Sequence, residues 1–203
     1  AVSDTISSGA WNNNTILHCW GRGDNGERMG DGGNSENFLS ILNPDYPAVV
    51  QGSSYQSVSI ANNHGCGINT NGNLYCWGKN VTGAVGDETK DPGAGNTRLA
   101  PVAILPATQD PFQLVATSFN TISGGAKDQS CGITASGKLY CWGQNVDKPT
   151  EILGGPYATS AGSLAIGTSH GCAIKTNGAA FCWGTAASGR LGNGQTTPDQ
   201  SSP

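Results

Sequence analysis

One pattern of apolar and small residues recurs along the chain. Copies occupy residues 64–78, 129–143 and 170–184, and each ends in the triplet Cys-Trp-Gly. A weaker copy ends in the same triplet at residues 19–21. The distance between successive triplets varies, so the pattern predicts a fixed supersecondary unit placed between loops of different length.

Two short strands and a tight turn are predicted within each copy. Gly72 lies one residue past the midpoint between Cys66 and Cys76. A three-residue hairpin loop, a type I turn followed by a left-handed residue, requires glycine there. This register places Cys66 opposite Cys76 at a Cα separation that suits a disulfide. The same spacing in the other copies predicts the disulfides Cys66–Cys76, Cys131–Cys141 and Cys172–Cys182.

Strand alternation places apolar side chains on both faces of each hairpin. In the first full copy, Cys66, Ile68, Leu74 and Cys76 share one face, and Gly67, Tyr75 and Trp77 share the other. A hairpin with two apolar faces must be covered on both sides. The sequence therefore predicts an all-β fold, a β-propeller of small sheets stacked face to face around an axis, with a linear β-solenoid as the alternative.

Composition agrees with short strands joined by turns and excludes several partners. The 203 residues include 31 Gly and 10 Pro, and no segment shows a sustained helical apolar stripe. Only 12% of the residues are charged, the net charge is −4 and there is no basic run, so we expect no nucleic-acid partner. The apolar runs are short and broken by proline, so we expect a soluble chain with no membrane insertion.

Cysteine usage indicates an oxidising compartment. The seven cysteines include no C-x-x-C motif, so disulfides are a better interpretation than metal binding or redox chemistry. We therefore expect a secreted or extracellular protein at the cell surface. The sequons at Asn13 and Asn80 predict N-glycosylation and add glycans to the expected partners.

These residues resemble the regulator of chromosome condensation repeat family in its cysteine-rich secreted form. The resemblance is carried by the Trp77-Gly78 pair after the second strand and by the glycine tail that follows, with Asn80, Gly83 and Gly86. It implies propeller blades in a single array of about four repeats, at 1–47, 48–101, 102–149 and 150–203. Family propellers usually have seven blades, so the array is expected to be incomplete or to be completed by another subunit.

Two repeats depart from the family pattern. The third replaces the glycine tail with residues 147–149, Asp-Lys-Pro, so its loop is expected to be shorter. The first is about three residues short and lacks the first cysteine, which leaves Cys19 as an intermolecular or free thiol. An apolar strand after a proline, at 48–50 and 102–104, is expected to precede the hairpin of the next repeat.

Literal matches to catalytic motifs lack the context that chemistry requires. Residues 21–26 fit G-x-G-x-x-G and residues 167–171 fit G-x-S-x-G, but no helix is predicted after either one. His64 and His170 share one repeat position, which indicates a structural ring bonded to a loop carbonyl. We therefore predict no catalytic residue, no cofactor and no metal site, and we expect the protein not to be an enzyme.

The predicted function is a non-enzymatic secreted propeller module for protein–protein interaction. Variable loops at 87–100 and 107–120 would present the binding surface. The set of blades is expected to be incomplete, with an open sheet edge at each end, and Cys19 is unpaired. Both features favour structural self-assembly into an extracellular fibre or surface layer, with copies of the chain as partners. The alternative is a secreted inhibitor or regulator of another enzyme that acts through its loop face.

Overall fold

The computed structural model describes residues 54–61, 63–90, 97–104, 110–118 and 128–200, and the backbone of three short strands before them. This part of the chain consists of antiparallel sheets with a single short 3-10 turn, Ala187–Gly189, so the all-β prediction is confirmed. Among the described residues there is no helix of the length and hydropathy that a membrane span requires.

The strands are grouped into four separate sheets of consecutive elements. Sheet 1 contains β1 (Ile6–Ser8), β2 (Leu17–Cys19) and β3 (Ala48–Val49). Sheet 2 contains β4 (Tyr55–Ile60), β5 (His64–Asn69), β6 (Leu74–Lys79) and β7 (Thr97–Ile104). Sheet 3 contains β8 (Phe112–Ser118), β9 (Gln129–Thr134), β10 (Leu139–Gly143) and β11 (Val146–Ile152). Sheet 4 contains β12 (Leu164–Ile166), β13 (His170–Ile174) and β14 (Ala180–Gly184).

The predicted hairpin geometry is confirmed in sheets 2, 3 and 4. Gly72 has φ 80° and closes the turn by donating its N–H to the carbonyl of Asn69. Cys66 lies directly opposite Cys76. The three predicted cysteine pairs are joined as disulfides, with Cα separations of 4.0, 4.1 and 4.1 Å. Turn chemistry and strand alternation are local, and they fix the register of each hairpin.

The sheets are stacked face to face as propeller blades. The cysteine face of sheet 2 packs against the aromatic face of sheet 3, where Phe112, Tyr140 and Trp142 are buried. The cysteine face of sheet 3 packs in the same way against Ala173 and Trp183 of sheet 4. The first strands of these sheets, β4, β8 and β12, contact one another in succession. Each hairpin lies in a sheet of its own, whereas a solenoid would combine successive hairpins in continuous sheets.

An aromatic residue on the first strand of a blade covers the small residue of the hairpin. A Cβ atom added at Gly132 would lie 2.8 Å from the ring of Phe112, and one at Gly67 would lie 2.7 Å from the ring of Tyr55. The Phe112 ring meets the Tyr140 ring edge-on, with centroids 6.0 Å apart. The glycine of each of these hairpins therefore leaves space for the aromatic ring of the first strand, Tyr55 or Phe112. The repeat pattern alone did not reveal this contact.

Two expectations about strand order are corrected. Ala48–Val49 pairs with β2, and the strand that includes residues 102–104 pairs with β6, so each closes the sheet of the preceding hairpin instead of leading the next one.

In sheet 1, Ile6 lies opposite Cys19, so the connection in the first hairpin is longer than in the others, not shorter. The division into four approximate repeats and the incompleteness of the propeller stay predictions.

Candidate functional site between neighbouring sheets

A glycine-rich loop, here called the glycine tail (residues 80–87), fills the space between sheets 2 and 3. It makes two successive turns, in which Gly83 N–H donates to Asn80 O (3.1 Å) and Gly86 N–H donates to Gly83 O (3.0 Å). Both glycines have positive φ, 79° and 84°. A Cβ at Gly83 would meet the backbone of Asp147 on sheet 3 at 2.7 Å, so the tail lies in close contact with the neighbouring sheet.

Asn80 holds the glycine tail together from inside. Its side chain is fully buried, its Oδ1 accepts from Val85 N–H (2.9 Å), and its Nδ2 donates to Asp87 Oδ1 (2.8 Å) and Thr89 O (2.9 Å). A glycan is attached through this same Nδ2 atom, so the folded structure opposes modification at the Asn80 sequon. The occupancy of both sequons stays a prediction, and Asn13 lies outside the described residues.

The glycine tail bonds to sheet 3 through one carbonyl. The oxygen of Ala84 accepts from Trp142 Nε1 (2.9 Å) and from Ser130 Oγ (2.9 Å). The next residue, Val85, is fully buried in the core between the two sheets. The tail therefore fills both the polar and the apolar part of the space in front of Trp142.

An ion pair fixes the end of the glycine tail. Arg98 Nε lies 2.5 Å from Asp87 Oδ2, which joins the tail to strand β7. Burial alone would raise the pKa of Asp87, but hydrogen bonds from Thr89 and Arg98 outweigh it and hold the pKa below its usual value. The carboxylate is therefore charged at neutral pH.

His64 is a buried link between sheets 2 and 3. Its Nε2 lies 2.9 Å from Ser130 Oγ. The hydrogen-bond partner is therefore a serine hydroxyl of the next sheet and not the loop carbonyl that we expected from the sequence. Ser130 gives its own proton to Ala84 O, so His64 Nε2 must be the donor. Burial lowers the pKa of His64 to about 4, which keeps the ring neutral. This contact agrees with the structural role that the repeat position predicts.

The third repeat has no glycine tail. Strand β10 continues into β11 through two residues, Gln144 (φ 51°) and Asn145 (φ 81°), and Gly143 pairs with Val146. Two consecutive left-handed residues are typical of the tightest hairpin turn. The prediction of a shorter loop is confirmed.

A cleft of about 310 Å³, here called the open cleft, lies between sheets 3 and 4. Sheet 3 contributes the strand ends around the Gln144 turn, and sheet 4 contributes Ser169, His170 and Trp183. Trp183 holds the position in sheet 4 that Trp142 holds in sheet 3. The open cleft is therefore the counterpart of the space that the glycine tail fills one sheet earlier.

The open cleft is lined mostly by uncharged groups, with His170 as the titratable side chain among its described residues. Among its described residues there is no Asp, Glu, Lys or Arg, and amide, hydroxyl and apolar groups alternate around Trp183. The described residues place no acceptor at hydrogen-bond distance from Trp183 Nε1, and this atom is not among the buried atoms that lack a partner, so it is accessible from the cleft. The missing tail at residues 147–149 is the sequence signal that could have located this cleft.

Several predicted features lie elsewhere or outside the described residues. Cys19 is placed by its backbone alone, and residues 21–26 are not described. Residues 167–171 lead into strand β13, not into a helix. His170 is half-buried and lines the open cleft. The predicted loops are corrected, because 97–100 belong to strand β7 and 112–118 form strand β8.

A family model for the regulator of chromosome condensation (RCC1) repeat matches residues 55–84 and 121–147. The chain is also similar to RUG3, a mitochondrial RCC1 domain-containing protein of Arabidopsis thaliana. Identity is 27% over 128 residues, which cover 63% of this chain and 25% of RUG3. The chain therefore spans about a quarter of that relative.

Solved structures share the fold at low sequence identity. Two structures of the yeast RCC1 protein Prp20 have a TM-score of 0.72 at 17% and 16% identity, and cover 96% of this chain and 49% and 51% of Prp20. The first structure is a complex of Prp20 with Kap60. The second is described together with the binding of Prp20 to Gsp1p and histones. The ectodomain of receptor kinase CR4 from Physcomitrella patens has a TM-score of 0.52 at 18% identity. The match covers 97% of this chain and 43% of the CR4 ectodomain.

Proposed function

The chain belongs to the regulator of chromosome condensation repeat family, and from this premise we propose that it is a non-enzymatic, protein-binding propeller module of an oxidising compartment. The observation that carries the proposal is the disulfide inside each full hairpin. The Cys66–Cys76 pair has no solvent exposure, so it forms part of the core instead of a reactive surface.

Secretion or display at the cell surface is the compartment that we propose. Disulfides of this kind persist in oxidising environments and are rare where thiols are kept reduced. The CR4 ectodomain has the same fold, which supports an extracellular setting. RUG3 is named as mitochondrial, so the compartment is a matter for experiment.

Other polypeptides are the proposed partners, and copies of this chain come first among them. Prp20, which shares the fold, has been crystallised with Kap60. Cys19 supports self-association, because its opposite position in the hairpin holds Ile6 where the other hairpins hold a cysteine. The other six cysteines are joined in pairs, so Cys19 is the odd cysteine, and an odd cysteine in a secreted chain favours pairing with a second chain, as assembly into a fibre or surface layer requires.

Light scattering coupled to size-exclusion chromatography tests self-association. We expect oligomers that reductant partly dissociates, and we expect Cys19→Ser to remove the reductant-sensitive part. Ile6→Cys is the matched control, because it keeps Cys19 and provides an intramolecular partner at the opposite position. A monodisperse monomer with a free Cys19 would contradict self-association and would favour the alternative, a regulator of another enzyme.

A further inference from the structure

We propose that the open cleft between sheets 3 and 4 binds a glycine-containing turn supplied by a partner polypeptide. This inference rests on the proposed protein-binding function and names one site for it. The partner segment would resemble the glycine tail, with a left-handed glycine followed by a small residue whose carbonyl is free to accept hydrogen bonds.

The occupied space between sheets 2 and 3 shows what such a cleft accepts. There, Ala84 offers its carbonyl to Trp142 Nε1 at 2.9 Å, and Val85 is buried beside the same ring. Thr82 extends the contact, since its carbonyl accepts from Asn145 N–H at 2.8 Å. A turn of polypeptide therefore satisfies this kind of surface with backbone groups and one apolar side chain.

The open cleft offers a comparable surface, with Gly171 opposite Trp183 where sheet 3 has Ser130 opposite Trp142. Trp183 repeats the position of Trp142, and its Nε1 has no acceptor among the described residues. The chain cannot supply the turn from sheet 3, because Gln144 and Asn145 lead directly into β11. Trp183 Nε1 is not among the buried atoms that lack a partner, so it is accessible from the cleft, and an incoming carbonyl would accept its hydrogen bond.

The chemistry of the lining favours a peptide over a charged ligand. Gln129, Gln144 and Gln200 line the cleft with amides, and its described lining contains one imidazole, that of His170, but no Lys or Arg that could hold a phosphate or carboxylate. Val146, on the rim, is 43% exposed and would be covered by a bound segment. The volume of about 310 Å³ lies at the lower end of ligand pockets, which suits a short turn.

The test uses the full chain and a capped peptide with the sequence of its own residues 80–87, Asn-Val-Thr-Gly-Ala-Val-Gly-Asp. Nuclear magnetic resonance would follow the indole N–H signals during titration to millimolar peptide. We expect the Trp183 signal to shift and saturate while the Trp77 signal stays in place. A peptide with valine in place of its first glycine is expected to cause no shift, because the left-handed turn is strained for a branched residue.

Variants of the chain separate the hydrogen bond from the cavity. Trp183→Phe keeps an aromatic ring and removes the donor, and we expect the peptide affinity to fall about fivefold to tenfold. Thr150→Trp, on the cleft wall, is expected to abolish binding by filling the space. Trp77→Phe, in a sheet that does not line the cleft, is the control and is expected to leave the affinity unchanged.

Three results would overturn the proposal: no shift of the Trp183 signal at millimolar peptide, an equal shift with the valine peptide, or a shift with a disaccharide such as cellobiose but none with peptide. The last result would assign the cleft to carbohydrate. Failure here is distinguishable from failure of the proposed function, because self-association is measured by light scattering without peptide and depends on Cys19.

Discussion

At the scale of single residues, the fold depends on pairing large side chains with small ones across each hairpin. Gly132 lies opposite Tyr140, and the ring of Phe112 occupies the space where a side chain would be. Sheet 4 has Ala173 at the same position, so a methyl group is tolerated there but not beneath Phe112. The identity of the small residue is thus set by the aromatic residue of the first strand.

Gly132→Ala is expected to destabilise the protein by about 1–3 kcal/mol, because the new methyl group collides with a buried ring in a packed core. Chemical denaturation monitored by tryptophan fluorescence measures the change. The reverse substitution at the equivalent position, Ala173→Gly, is the control and is expected to cost only about 0.5–1 kcal/mol through backbone entropy. Equal losses in the two variants would contradict the role of Phe112.

His64 is expected to make stability depend on pH. Its folded pKa is about 4 against 6.5 for a free histidine, so the unfolded chain binds a proton first as the pH falls. Stability is therefore complete above pH 6.5 and is lost between 6.5 and 4, by about 3 kcal/mol. Burial raises the pKa of Asp128, so protonation of this carboxyl favours the folded protein as the pH falls. This effect opposes that of His64, and it is the same in the natural chain and in a variant that lacks His64.

The measurement for His64 is the free energy of unfolding at a series of pH values. His64→Gln introduces the residue that the next repeat has at the equivalent position, Gln129. We expect this variant to flatten the dependence of the unfolding free energy on pH between pH 6.5 and 4. An unchanged slope in this variant would show that another group is responsible.

At the scale of elements, the difference between the second and third repeats is a single connection. After β6 the chain forms the glycine tail before it returns as β7, whereas after β10 it turns back at once. The first connection fills the space in front of the next sheet, and the second leaves it open. Asn80, at the start of the tail, bonds Val85 and Asp87 near its end and so makes the longer connection a defined structure.

Asn80→Ala is expected to destabilise the protein by about 2–3 kcal/mol, because the N–H of Val85 is left buried without an acceptor. Thr82→Val also destroys the sequon but keeps the side-chain shape, and it is expected to cost less than half as much. Thermal unfolding compares the two variants, and mass spectrometry of the natural chain shows whether Asn80 carries a glycan. Equal losses would indicate that a glycan, not the hydrogen bonds, stabilises this segment.

At the scale of the whole molecule, burial decreases from sheets 2 and 3 to sheet 4. Every residue of β5 is buried, whereas β14 is only partly covered along its length. The interface between sheets 3 and 4 also lacks a glycine tail, so it contains a cleft where the preceding interface is filled. We expect the stability of the blades to follow this order.

Native-state hydrogen exchange is expected to show lower protection in β13 and β14 than in β5, β6, β9 and β10, because local opening is easier where fewer apolar contacts must break. Mass spectrometry of peptides from each hairpin measures the difference, and the identical disulfide spacing makes the three hairpins matched controls for one another. Uniform protection would mean that the sheets open as one unit.

The sequence by itself determined the hairpins: their register, their turn glycines, their disulfides and the need for cover on both faces. These features follow from alternation and turn chemistry within about fifteen residues, so no distant contact is needed to predict them. The repeat also indicated the propeller architecture, since apolar faces on both sides of every hairpin require neighbours of the same kind.

Only the tertiary structure decided which strand closes which sheet and what lies between the sheets. The return of residues 97–104 to β6, the bond between His64 and Ser130, and the ring of Phe112 over Gly132 join residues far apart in sequence. Local propensity contains no information about such contacts. The open cleft beside Trp183 is likewise a property of packing, because a shortened loop becomes a cavity only when a neighbouring sheet stands opposite it.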